Sequence, residues 1–251
     1  MPRRVEPEML DELAQEDPAA QRSRRDLQRI HRAMGTASIL RRAFGKLPTS
    51  SQHGDGHSRR LRVLELGAGD GTLLVGVARA RLPAWQAVDL TLLDRQHLLD
   101  EETVARYAAQ GWSARAQVVD VMAWARDAHE AHGEARRWDL IVANLFLHHF
   151  EAPALTLLLR AIASRTDHFI ACEPRRSRVA LAGSHLVGVI GANAVTRQDA
   201  VLSVRAGFRG QELTQLWSAL GLAGWSLSEG PAGLFSHCFC ASRRAPDSAD
   251  R

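Results

Sequence analysis

From Leu61 onward the chain alternates between two hydrophobic rhythms. Nearly continuous apolar runs, "LRVLELG" (61–67), "AVDLTLLD" (87–94), "ARAQVVD" (114–120), "WDLIVAN" (138–144) and "HFIACEP" (168–174), predict five strands rich in Val, Leu and Ile. Between them, "GTLLVGVARARL", "EETVARYAAQG", "VMAWARDAHEAH" and "APALTLLLRAIASR" space their apolar residues for helices. Parallel strands need such long crossovers, and unbroken apolar runs mark strands covered on both faces. The pattern therefore predicts an α/β fold on a doubly wound parallel sheet. Its ligand should bind at the carboxyl ends of the strands, near the topological switch point.

The flanking segments follow other patterns. "LQRIHRAMGTASILRRAF" puts Leu27, Ile30, Met34, Ala37 and Leu40 on one helical stripe with arginines elsewhere, which predicts an amphipathic N-terminal helical arm over residues 1–47. Residues 48–60, "PTSSQHGDGHSRR", have no hydrophobic period and are expected to be a flexible linker. The main domain then runs over 61–243, with 244–251 as a disordered tail. Residues 175–208 are longer than the earlier connections and helical in composition, so they read as a cap insertion after the fifth strand. "QELTQLWSALGL" adds a helix. "WSLSEGPAGLFSHCFCAS" reads as two strands joined at Gly-Pro-Ala-Gly, the last one antiparallel to its neighbour.

Composition narrows this picture. A chain of 251 residues that is 45% hydrophobic and 24% charged can bury a core without disulfides or metal. The net charge is +4, yet Lys46 is the only lysine, and arginine is spread along the chain rather than clustered as a nucleic-acid groove requires. No nucleic-acid partner is expected. Cys172, Cys238 and Cys240 lack metal spacing and read as small buried hydrophobes, the last two on one face of a strand. The start "MPRRVEPEML" has no apolar signal region, and "HLVGVIGANAV" is too short to span a bilayer, so a cytoplasmic protein is expected.

The most informative stretch is "VLELGAGDGT", placed between strand and helix. Small residues there let a ligand approach the backbone where free N–H groups start a helix. A dinucleotide fingerprint would continue with Gly or Ala at Thr72, and has no use for Glu65. Asp94 closes the second strand, where a carboxylate suits a ribose diol. Asp120 closes the third. Each aspartate alone reads as a solvated strand end or helix cap.

Glu65, the glycines at 67, 69 and 71, Asp94 and Asp120 together resemble the first motifs of class I S-adenosylmethionine-dependent methyltransferases. The resemblance spans roughly Leu61 to Arg243 and implies a Rossmann-like seven-stranded sheet with an antiparallel last strand. It implies S-adenosyl-L-methionine as cofactor, with Glu65 and Gly67 near the methionine amino group and Ala68, Gly69, Asp70 and Gly71 beneath the cofactor. Asp94 would meet the ribose, Asp120 the adenine amino group with Val121 or Met122 against the ring, and Asn144 the methionine moiety. "NLFL" after the fourth strand differs from the Asn/Asp-Pro-Pro-aromatic signature of DNA amino-methyltransferases. The wider sequence looks like bacterial small-molecule methyltransferases grouped with ubiquinone and polyketide methylases. "VTRQDAVLSVRAGF", "ELTQLW" and "GLFSHCF" look like a subgroup tailoring type III polyketide phenols.

The resemblance implies methyl transfer to a hydroxyl of an aromatic or polyketide-like small molecule. The alternatives are transfer to carbon or nitrogen of a small metabolite, and a non-catalytic cofactor-binding module. A phenol must lose its proton, and histidine is the usual acceptor. His148 and His149 follow the fourth strand, beside the methyl-transfer centre that the resemblance implies. Adjacent side chains diverge, so one should face the pocket while the other packs; His148 is favoured for the pocket. Adjacent histidines chelate poorly, and no metal site is expected. His185, Asp199 and Arg205 in the cap, with His237, are candidates for acceptor binding. Trp124, Trp217 and Trp225 are expected in the core or at its edge. The arm either closes over the acceptor or forms a homodimer.

Overall fold

The computed structural model describes residues 1–47, 59–130 and 137–244, with main chain alone for 128–130. Seven strands form one sheet in the order β3-β2-β1-β4-β5-β7-β6. They are β1 (Leu61–Leu66), β2 (Val88–Asp94), β3 (Trp112–Val118), β4 (Trp138–Asn144), β5 (Thr166–Pro174), β6 (Trp225–Ala232) and β7 (Ser236–Arg243). All ladders from β3 to β5 are parallel, and β7 runs antiparallel to both β5 and β6. The strand order reverses between β1 and β4, so their carboxyl ends open the crevice where α/β sheets bind ligands.

Ten α-helices accompany the sheet among the described residues: α1 (Met9–Glu12), α2 (Pro18–Met34), α3 (Thr36–Phe44), α4 (Val75–Ala78), α5 (Glu101–Ala108), α6 (Val121–Glu130), α7 (Ala152–Arg165), α8 (Arg178–His185), α9 (Ala194–Ala206) and α10 (Glu212–Ser218). One hydrophobic layer sets Trp124, Leu158, Ile162 and Trp217 against Phe169 and Phe239 of the sheet. The opposite layer sets Phe44, Val77 and Tyr107 against Val63, Leu90 and Ile170. The three tryptophans named above are buried, and Trp217 stacks on Phe169 at 5.7 Å. Cys172 is buried, and the Cys238 and Cys240 sulfurs lie 3.9 Å apart on one face of β7.

Four local expectations shift. The arm is broken, because Gly35 caps α2 in the left-handed region at φ 66° and starts α3. The helix after the glycine turn shrinks to four residues. There α3 packs so closely that a Cβ on Gly76 would lie 2.9 Å from that of Ala37. Strand β3 begins two residues early, at Trp112, whose indole N–H donates to the Trp85 carbonyl at 2.7 Å and whose ring stacks with Tyr107. The last hairpin turns at Gly233 to Phe235 rather than at Gly-Pro-Ala-Gly, since Pro231 is tolerated inside β6 at the sheet edge. The proposed linker falls almost wholly on 48–58 and the tail on 245–251, both outside the described residues.

The cap between β5 and α10 is α8, a 3-10 turn at Val187–Ile190, and α9. The arm divides: α3 packs on one face of the sheet, while the residues before it lie across the sheet's carboxyl end. There α2 meets the cap through Asp26, whose carboxylate accepts the Asn193 N–H at 2.8 Å, and residues 1–12 run on as a strap. Arg3 of that strap donates to the carbonyl oxygens of Phe150 and Ala206, and the N–H groups of Met9 and Leu10 donate to Asp199.

Candidate active site

The turn after β1 is built on three left-handed glycines: Gly67 (φ 63°), Gly69 (φ 55°) and Gly71 (φ 71°). A Cβ at Gly67 would fall 2.1 Å from the Phe146 ring, and one at Gly71 would fall 2.7 Å from Leu92. Gly69 differs, since among the described residues no atom beyond its chain neighbours lies within 4 Å of where its Cβ would be. Its bare backbone borders a cavity of about 340 Å³. Asp94 anchors the turn by accepting the Gly69 N–H at 2.9 Å, and its other oxygen accepts the Gln96 N–H at 3.0 Å. The Tyr107 hydroxyl holds the Gly71 carbonyl from below at 2.6 Å.

The cavity gathers Glu65, Gly67, Ala68, Gly69, Asp70, Asp94, Asp120, Val121, Asn144, His148 and His149. Of the expected cofactor residues, Gly71 is absent from its wall and shapes the turn, and of the two apolar candidates for the adenine ring Val121 lines it while Met122 does not. Asp120 caps α6 by accepting the N–H groups of Met122 and Ala123 through one oxygen. Asp70 is occupied by Thr72 and by Gln28 of α2, which donates to it at 2.6 Å.

Two buried oxygens on this wall, Glu65 Oε2 and Asn144 Oδ1, have no hydrogen-bond partner among the described residues. Buried acceptors in folded proteins are nearly always paired, so a pair of orphans facing one cavity marks a place for donors from a ligand. Burial, reinforced by Asp70 and Asp94, pushes the Glu65 carboxyl up to about 8. Burial pushes His31 of α2 down to about 4, and its ring nitrogen stands 3.4 Å from the Asn144 amide.

Both histidines line the cavity, and His148, the one favoured for the pocket, is also the more buried of the two. His148 is the packed one, 2% exposed, with Nδ1 2.8 Å from Glu173 and Nε2 3.2 Å from Glu8 of the strap. Burial alone would lower its pKa, but the two carboxylates outweigh this and raise it to about 9. Glu173 also accepts the N–H groups of Phe146 and Leu147, so one buried carboxylate sets both the turn and the ring. His149 is 22% exposed, with Nδ1 3.1 Å from Asp11. The "LHH" stretch itself could not show this, because Glu8, Asp11 and Glu173 come from distant segments. Leu145, at φ 47°, turns the chain sharply between Asn144 and Phe146.

A second cavity of about 320 Å³ lies between α2 and the cap. Apolar side chains including Leu27, Ile30, Met34, Val204 and Phe235 make most of its wall, with Glu8, Asp199 and Ser203 among the few polar groups. Glu8, Leu10, Leu27, Leu145 and Ser203 border both cavities. Asp199 thus lies beside the expected acceptor region, although its carboxylate is held by the strap backbone. His185 and Arg205 line neither cavity, and His237 is paired with Glu229 at 2.8 Å. Sequence reasoning passed over Glu8, Asp11, His31, Glu173 and Ser203.

A family model described as a methyltransferase domain matches residues 25–227. The chain belongs to that family. S-adenosylmethionine is the cofactor of this methyltransferase domain, and the first cavity fits it: the glycine turn is open at Gly69, and Glu65 and Asn144 offer unpaired acceptors to a cationic amino group. No curated protein sequence matches the chain. Among solved structures, the fold is shared with an O-methyltransferase family 2 protein from Planctomyces limnophilus in complex with apigenin. That match has 14% identity and a TM-score of 0.55, over 91% of this chain and 62% of the other. An O-methyltransferase family protein from Burkholderia thailandensis matches at 15% identity and TM-score 0.53, over 85% and 58%. The CurJ carbon methyltransferase matches at 15% and 0.52, over 84% and 54%. The chain thus spans less than two thirds of the length of these structures. Their likeness is one of fold.

Proposed function

We propose that the protein transfers the methyl group of S-adenosylmethionine to a hydroxyl of an aromatic, polyketide-like small molecule. The observation that carries this reading is the junction of the two cavities at Glu8, Leu145 and Ser203. A mixed polar cavity suited to the cofactor meets an apolar one of the size that takes a small organic ligand. The bound sulfonium supplies an already activated methyl group. Glu65 and Asn144 hold its amino end, Asp94 the ribose, and Asp120 with Val121 the base, while Gly69 leaves room for the chain between them.

The protein's remaining work is to align the acceptor, exclude water and take one proton. Alignment alone can supply roughly 7 to 11 kcal/mol. Residues of the strap and of α2 line both cavities and narrow their access to solvent. His149 is the group that takes the acceptor proton: Asp11 binds Nδ1 and so directs the lone pair to Nε2, the arrangement by which a carboxylate orients a histidine base. His148, held as a cation between Glu173 and Glu8, fixes the strap over the junction and favours negative charge on the acceptor oxygen. The second cavity's aliphatic wall selects an acceptor with an apolar body.

The test is turnover on a panel of phenols with His149→Ala. A positioned base contributes about a hundredfold or more, so kcat should fall by that much while S-adenosylhomocysteine still binds. Unchanged turnover in His149→Ala would remove it from the proton path. Methyl transfer confined to amines or carbon acids would replace the hydroxyl reading.

A further inference from the structure

We propose that the outer face of the arm and the turn at the cap's edge form a docking surface for a lipid bilayer with negatively charged headgroups. Two separate features meet there. Residues 18–47 carry seven arginines and Lys46 against a single acid, Asp26. Asp26 is buried beneath the cap, where it accepts the Asn193 N–H and pairs with Arg29 alone of these arginines. On α2, Arg22, Arg25, Arg29 and Arg32 are exposed at successive turns of one stripe, and α3 adds exposed Arg41 and Arg42. Arg29 pairs with Asp26 at 2.9 Å and Arg32 donates to the Gln28 carbonyl, yet both side chains stay exposed. Leu27 and Ile30 point the other way, into the apolar cavity, and Gln28 and His31 point toward the cofactor cavity.

The second feature is aliphatic. Around the 3-10 turn, Leu186 is 63% exposed, Val189 84% and Ile190 45%. Leu186 and Ile190 also line the apolar cavity, so the turn is a lip at its mouth. Cations hem this lip: a Cβ on Gly191 would lie 3.9 Å from Arg29 Nη1, and one on Gly188 3.0 Å from Arg197 Cδ. A one-sided basic helix beside exposed aliphatic side chains is the chemistry of peripheral membrane binding, with apolar groups inserted at the boundary and arginines among the headgroups. No helix among the described residues is long and apolar enough to cross a membrane, so the contact is with one leaflet. The mouth of the cavity then faces the bilayer, and an amphiphilic acceptor enters without crossing water. That last use of the surface rests on the acceptor reading of the cavity; bilayer binding itself does not.

The experiment is sedimentation of the full chain with vesicles of phosphatidylcholine plus phosphatidylglycerol, and with phosphatidylcholine alone. Binding is expected to the mixed vesicles only, weakening as salt rises. Each arginine near such a surface is worth roughly fivefold in affinity, so Arg22, Arg25, Arg29 and Arg32 changed together to Gln should cost roughly 600-fold. Val189→Asp should weaken binding by roughly tenfold, by removing an inserted aliphatic group. S-adenosylhomocysteine binding, read by calorimetry, should be unchanged in both variants and certifies the fold. No sedimentation with the mixed vesicles at low salt would overturn the proposal, as would equal binding by the Gln variant. Capture by an acidic carrier protein with no vesicle binding would also overturn it. Vesicle binding without methyl transfer to phenols would leave the surface standing and remove the acceptor reading.

Discussion

Asp94 at the end of β2 accepts the backbone N–H of Gly69 at 2.9 Å, so one strand's last carboxylate fixes the glycine turn that follows its neighbour. The same carboxylate holds Gln96 and faces the cofactor cavity. Asp94→Ala therefore removes two anchors and the proposed ribose acceptor together. Calorimetry should show at least a tenfold loss of S-adenosylhomocysteine affinity, and denaturant unfolding a loss of about 1 to 3 kcal/mol. Undiminished affinity would mean that Asp94 only braces the turn.

Glu65 should make cofactor binding pH-dependent. Burial favours its protonated form, so the stability it contributes is present below the ordinary carboxylate pKa and is lost as pH rises through about 8. A cationic amino group needs the carboxylate, hence binding near neutrality should release a proton. Affinity should climb from about pH 6 to about pH 8, by up to roughly tenfold per unit. Calorimetry in buffers of different ionisation enthalpy counts the proton; in Glu65→Gln both the climb and the release should vanish.

The Glu8–His148–Glu173 clamp should also make strap stability fall as pH rises, this time through loss of a cation. A histidine raised to about 9 stabilises the folded state fully below about 6.5, and that contribution is lost as pH rises through about 9. His148→Gln should cost roughly 3 kcal/mol at about pH 6.5, because it leaves buried carboxylates unpaired. The gap to wild type should narrow by about pH 9.5. Limited proteolysis should then cut within residues 1–12, and an equal gap at both pH values would contradict the clamp.

Two neighbouring glycines should fail differently. Gly67→Ala drives a methyl into Phe146 at a left-handed position and should lose about 2 kcal/mol or more of stability. Gly69→Ala meets no atom, so it pays only the left-handed strain of roughly 1 to 2 kcal/mol but places its methyl in the cofactor cavity. Its main effect should be on S-adenosylhomocysteine affinity. Thermal unfolding and calorimetry, run on both variants, separate the two.

The sheet was legible because burial on both faces writes itself as unbroken apolar runs, and the glycine turn because only glycine tolerates its backbone. Asp94 and Asn144 were legible as strand ends. What stayed hidden depends on long-range packing. Gly76 reads as ordinary helix, yet α4 has only four residues and α3 approaches it closely at Ala37. Pro231 reads as a turn, yet an edge strand accommodates it. His148 and His149 are distinguished only by carboxylates more than a hundred residues away on the strap and by Glu173 on β5. The arm's role at both cavities was undecided for the same reason, since a helical stripe shows that a face is covered without showing by what.

The most direct test of methyl transfer to a hydroxyl is to incubate the full chain with S-adenosylmethionine carrying a carbon-13 methyl and a panel of alkyl-substituted phenols, then locate the label. The account predicts a labelled aryl methyl ether and an equal amount of S-adenosylhomocysteine, with both lost in Asp94→Ala. Tight cofactor binding with no label on any phenol, or label found on ring carbon or nitrogen instead, would contradict it.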